Sequence, residues 1–177
     1  LQSDSVAPIW REIMSACRAL ERRVRVAFLG PAGTFSESAA LGYFGSSIDR
    51  VPCHSIDEVF HGTSAGAADF GVVPVENSTE GVVARSLDLF LHTPLIIIGE
   101  TSLFVRHNLL RREPALDGIQ AVLAHPQALA QCQNWLGQHL PRVERRPVLS
   151  NAEGARLAAL DASLAAIASE RAGSEYG

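Results

Sequence analysis

The chain has 177 residues, is 47% hydrophobic and carries a formal net charge of −4, enough length and apolar content to bury a core as one domain or two small lobes. Its 15 basic residues are all arginine, and without lysine a Schiff base, a pyridoxal phosphate anchor and a Walker-type phosphate loop are excluded. The arginines are scattered, which marks no face for nucleic acid, and no apolar run approaches the length needed to span a bilayer.

Cys17, Cys53 and Cys132 are far apart and show no metal-ligand spacing, so they read as reduced packing thiols in a cytoplasmic protein without a metal site. The first element in chain order is an amphipathic helix. Val6, Ile9, Trp10, Ile13, Met14, Cys17 and Leu20 recur at spacings of three and four, with Pro8 placed in its first turn. Its apolar stripe needs a partner: either the domain that follows, or other helices of a preceding domain.

From Val24 onward, short apolar strands alternate with helix-length amphipathic segments, which predicts an α/β fold around parallel sheets. Strands are expected at 24–30, 50–54, 70–75, 95–105, 120–124, 143–149 and 164–169, with helices beginning near Phe35, Ile56, Gly81, Pro126, Asn151 and Ser169. The long stretch 94–108 lies between two sets of such units, as expected where a chain crosses between lobes. The expected organisation is an extra N-terminal helix over 1–22, a first lobe over 23–98 and a second over 99–177.

Three strand-to-helix turns are the candidate ligand sites, because helix N-termini offer free N–H groups beyond strand ends. In the first, Gly30-Pro31-Ala32-Gly33-Thr34-Phe35-Ser36, two glycines permit a tight turn and close ligand approach, and Thr34 or Ser36 can cap the helix or bind an anion. The second, Val73 to Gly81, ends a strand in two carboxylates, an amide and two hydroxyls. Asn77, Ser78 and Thr79 could meet a carboxylate there, or Ser78 or Thr79 could simply cap a helix with Glu80 in its first turn. The third places His125 just outside a helix opening at Pro126 and Gln127, where the helix dipole favours a neutral imidazole that acts as a hydrogen-bond partner. The other histidines show no triad or ligand spacing; only His107 is given a packing or hinge role.

In this order and spacing, GPAGTFS at 30–36, VPVENSTEG at 73–81, HNLL at 107–110, HPQALAQC at 125–132 and AAIAS at 165–169, followed by Tyr176-Gly177, resemble the prephenate dehydratase family. The helix at the start is similar to the closing helix of a chorismate mutase domain, as in bifunctional members. The resemblance implies two lobes arranged like a type 2 periplasmic binding protein, prephenate held between them, no cofactor, a homodimer, and usually a phenylalanine-sensing ACT domain further on. It assigns substrate binding to Thr34, Phe35, Ser36, Asn77, Ser78, Thr79, His125 and Gln127. The family's Thr-Arg-Phe motif, whose threonine is the usual candidate for protonating the leaving hydroxyl, occurs nowhere in this sequence and is expected downstream of Gly177. The catalytic acid is therefore unassigned, and the chain alone is expected to be weakly active or inactive. Ala124 stands where the family commonly has serine. A non-catalytic two-lobed module binding a carboxylate or amino acid is the competing expectation, and the parent's Thr-Arg-Phe would decide between them.

Overall fold

The computed structural model describes residues 3–78 and 81–177. It is α/β and divides into two compact units: the first runs to Gly30 and resumes over Ser36–Leu103, and the second comprises Pro31–Phe35 and Phe104–Gly177.

In the first unit, β1 (Arg25–Leu29) lies between β2 (Asp49–Cys53) and β3 (Phe70–Val72), all parallel, with Val26 opposite Arg50 and Phe70. Successive side chains of a strand face opposite ways. Val26 accordingly packs with Ala40 of α2 (Phe35–Phe44) and Ile48, whereas Ala27 packs with Cys53, Ala68 and Val59 of α3 (Ile56–Ser64). Both faces of β1 are thus covered, which is why it reads as an unbroken apolar run. Ser55 caps α3 by accepting from the Glu58 N–H at 3.1 Å, and the Glu58 carboxylate accepts from the His54 N–H at 2.7 Å. At the other end of the sheet Asp69 accepts from the backbone and guanidinium of Arg25 and from Arg22, which holds its carboxyl well below the usual carboxylate range.

The N-terminal helix α1 (Ser3–Glu21) docks on this unit, but not by its apolar stripe. Glu12 accepts from the Ser46 hydroxyl at 2.6 Å, Ser15 accepts from the Ser47 N–H at 3.2 Å, and a Cβ on Gly45 would come within 2.4 Å of Ser15. The seam is therefore small and polar, while Ile9, Trp10, Ile13 and Met14 stay exposed. Pro8 lies inside the helix rather than in its first turn, since the helix starts at Ser3.

The second unit is a four-stranded sheet in the order β6 (Asn108–Leu110), β9 (Leu164–Ala168), β7 (Ala121–Ala124), β8 (Glu144–Pro147), parallel except for β6. All four β7 residues are buried. Val122 and Ala124 pack with Ala128 of α5 (Pro126–Gln131) and with Leu136 of α6 (Gln133–His139), while Ala166 and Ala168 face Ala155 of α7 (Asn151–Ala158) and Ala172 of α8 (Glu170–Tyr176). Alanine here sets distance: at Gly154 even a Cβ would lie 3.1 Å from the Leu123 carbonyl oxygen, so α7 rests almost directly on the sheet.

Several expectations need correction. The strand expected over 95–105 is absent: only Asn108–Leu110 pairs, and Ile96, Ile97 and Ile98 are exposed. An isoleucine-rich run satisfies strand propensity, but a strand also needs a ladder partner, and no described strand supplies one. The strand expected over 70–75 stops at Val72, just before Pro74, which has no N–H to offer a ladder. The helix expected from Gly81 begins at Ala84, because Glu76–Asn77 (β4) and Gly81–Val82 (β5) form a short antiparallel ribbon before α4 (Ala84–His92). The helix expected from Pro126 breaks at Cys132, whose φ of −94° and ψ of 5° end α5 after six residues.

Candidate active site

The turn Pro31–Phe35 belongs to the second unit and is tied to α8 by two hydrogen bonds. The Ser169 hydroxyl donates to the Gly33 carbonyl at 2.8 Å while its oxygen accepts from the Ala172 N–H at 3.1 Å, so one side chain caps α8 and holds the turn. The Tyr176 hydroxyl donates to the Ala32 carbonyl at 2.9 Å. Gly33 has a φ of +84°, and a Cβ there would come within 3.0 Å of the Ala172 Cα, so conformation and space both require glycine.

This anchoring presents Thr34 and Phe35, both half-buried. The Phe35 ring meets the edge of His107 at 6.0 Å between centroids and 71° between planes. His107 Nε2 lies 2.7 Å from the Gln131 side-chain oxygen. That oxygen can only accept, which places the imidazole proton on Nε2. In the neutral ring Nδ1 is then a lone pair, and it is buried without a donor among the described residues. Gln127 stands four residues before Gln131 on α5, on the same helix face, and its buried amide nitrogen meets no acceptor among the described residues. A buried acceptor and a buried donor without partners each cost about 1–3 kcal/mol, so a polar ligand that meets them gains from both.

His125 is the N-cap of α5: its Nδ1 accepts from the Gln127 N–H at 3.3 Å, and its own N–H donates to the Asn151 side chain at 2.8 Å. The helix it caps is only six residues long, so its dipole is weaker than the single longer helix expected here would supply.

The remaining expected residues lie in the first unit. Ser36 is half-buried in the first turn of α2, beside Glu37, which is fully buried and accepts from Arg50 at 2.6 Å. Asn77 sits on β4 and Ser78 in the exposed turn after it. Neither is a helix N-cap: that position belongs to Val83, which makes no side-chain cap bond. Ser86, fully buried, instead holds α4 by donating to the Pro74 carbonyl at 2.6 Å. Thr79, with Glu80, lies outside the described residues.

The sequence assigns no role to Gln131 or Tyr176, marks Ser169 only as a helix start, and gives His107 a packing or hinge role. All four fall inside motif segments already singled out, so a signal was present. It lacked the three-dimensional pairing of residues as far apart as Gly33 and Ser169. Cys53 and Cys132 are raised in pKa by burial, which keeps both thiols protonated and argues against nucleophilic use. Among the described residues no group of three His, Cys, Asp or Glu side chains could hold a metal ion, and no helix is long and apolar enough to cross a membrane.

The family profile described as prephenate dehydratase matches residues 26–177. A bifunctional chorismate mutase/prephenate dehydratase of Pseudomonas aeruginosa is 49% identical over 99% of this chain, which covers 48% of that protein. The chain thus spans about half the length of the curated relatives it matches. Among solved structures, a prephenate dehydratase from Arthrobacter aurescens in complex with L-Phe is 32% identical with a TM-score of 0.68, over 86% of this chain and 52% of that one. A structure described as a novel type of quorum quenching acylase, GqqA, is 24% identical with a TM-score of 0.77, over 86% of this chain and 56% of that one, a likeness of fold alone. Because one fold carries differently described activities, the motifs rather than the architecture decide, and by those motifs and the match over 26–177 the chain belongs to the prephenate dehydratase family.

Proposed function

We propose that this protein converts prephenate to phenylpyruvate, a step of phenylalanine biosynthesis. The observation that carries the reading is the arrangement in the second unit, where Phe35 packs on His107, the buried Nδ1 of His107 meets no partner among the described residues, and the helix that holds His107 through Gln131 also carries the unpartnered buried amide of Gln127. Prephenate is a non-aromatic ring with two carboxylates and a hydroxyl. It matches such a surface with apolar edges for Phe35 and charged oxygens for the amide.

The reaction expels carbon dioxide and water as the ring becomes aromatic, so the protein must orient the ring and assist the departing hydroxyl; general-acid help of this kind is worth about 10²–10⁴-fold. Thr34, Phe35, His125 and Gln127 are assigned to substrate binding on the second unit, and Ser36, Asn77, Ser78 and Thr79 on the first. No residue of this chain is assigned as the acid. Helix α1 is read as the last helix of a mutase-like domain, and the working protein as a cytoplasmic homodimer. The mutase and homodimer readings rest on the family, and the cytoplasmic one on the reduced thiols.

The test is calorimetric titration of the chain with prephenate, alongside a phenylpyruvate assay on a protein of the relatives' full length. Binding by the chain, with turnover lowered about tenfold or more by Gln127→Leu through loss of a charge-assisted hydrogen bond, supports the reading. Absence of prephenate binding to both proteins overturns it, and binding without turnover by the longer protein would favour a non-catalytic module.

A further inference from the structure

A concavity of about 160 Å³, open to solvent, lies on the second unit between β6, α7 and α8. It uses none of the side chains assigned above to the substrate. Its apolar wall is built from Leu110, Ala155, Ala158 and Ala172, with Tyr176 and Arg111 and Arg112 also lining it. The small residues leave this volume open, with room for a single small organic molecule.

Charge sets the kind of occupant. Arg111 is fixed by three backbone carbonyls, those of Ala115, Asp117 and Ala162, and its buried Nε–H meets no acceptor among the described residues. Arg112 donates to the Ala159 carbonyl at 3.3 Å. Neither guanidinium is paired with a carboxylate among the described residues. A guanidinium already held in place loses little freedom when it binds, and the planar fork suits a carboxylate.

We propose that this groove binds a small monocarboxylate with an apolar body, its carboxylate on Arg111 and Arg112 and its body on the alanine wall. The test uses 3-phenylpropionate as the probe and the uncharged 3-phenylpropanol as its control, each titrated into the ¹⁵N-labelled chain. The acid should shift the amides of Ala158, Ala159, Gly173 and Gly177, and the alcohol should need at least about tenfold more to do so, since a charge-assisted hydrogen bond is worth a factor of that order. Arg112→Gln should weaken the acid about tenfold without altering the alcohol, and Ala159→Trp should abolish both by filling the groove. If Ala159→Trp fails to fold, Arg112→Gln carries the test alone. Equal response to acid and alcohol overturns the proposal, as does response confined to Phe35 and Gln127. Concentration-dependent broadening of the groove amides without probe would assign the groove to a second copy of the chain, and also overturns it.

Discussion

The two units are held together by different chemistry. The first uses charge over long sequence separations: Asp69 binds Arg22 and Arg25, Glu37 binds Arg50, and Asp57 binds Arg85. The second unit's ion pairs are local, such as Glu153 with Arg156 and Arg171 with Glu175, and its distant segments are joined by hydrogen bonds to uncharged groups, from Ser169, Tyr176 and the His125 N–H and from Arg111 and Arg112 to backbone carbonyls. The same contrast divides the candidate site. The turn 31–35 is locked by buried neutral contacts, whereas Ser78 sits exposed in the turn that follows the short strand β4. A site that must keep its geometry is better served by the former.

The largest expected effect is therefore at Gly33. Gly33→Ala places a side chain at positive φ, costing about 1–2 kcal/mol, and presses it against the α8 backbone, so urea unfolding should show a loss of about 3 kcal/mol. Ser169→Ala removes both the α8 cap and the partner of the Gly33 carbonyl, and should cost about 2 kcal/mol in the same measurement.

Acid should separate the units. Carboxyls are depressed in both units, but Asp69, by its hydrogen bonds with Arg25 and then Arg22, and Asp57, by Arg85, tie distant segments of the first unit, whereas Glu144, Glu153 and Asp161 of the second are depressed by partners two or three residues away. A depressed carboxyl contributes stability above its unfolded value of about 4 and loses it as pH falls toward the folded value. Amide exchange at Ala27 should accordingly speed up below about pH 4 before exchange at Ile167 does; simultaneous acceleration would remove the contrast. The smallest effect is predicted for Ser78→Ala, within about 0.5 kcal/mol, because an exposed hydroxyl that caps no helix has little to lose. A larger loss would mean that the ribbon is anchored.

Much of the fold was legible in the sequence. The buried strands 25–29, 121–124 and 164–168 follow from short apolar runs, and α3 and α7 start at Ile56 and Asn151 as the sequence places them. What failed were segments whose structure depends on a distant partner. The isoleucines of 96–98 look like a strand but have no ladder, and the polar run after Val75 looks like a helix start but folds back as a ribbon. The site divides the same way. His125 and Gln127 stand out as a strand-end dipeptide around proline, whereas the pairing of His107 with Gln131, 24 residues apart, has no local signal.

The central claim is that the polar groups around Phe35 exist to hold prephenate. Titrating the chain with prephenate while following the imidazole ¹⁵N resonances of His107 tests it most directly. The account predicts saturable binding with a shift at Nδ1, weakened about tenfold or more by Gln127→Leu. No response at His107, or equal binding by the Gln127→Leu variant, would contradict it.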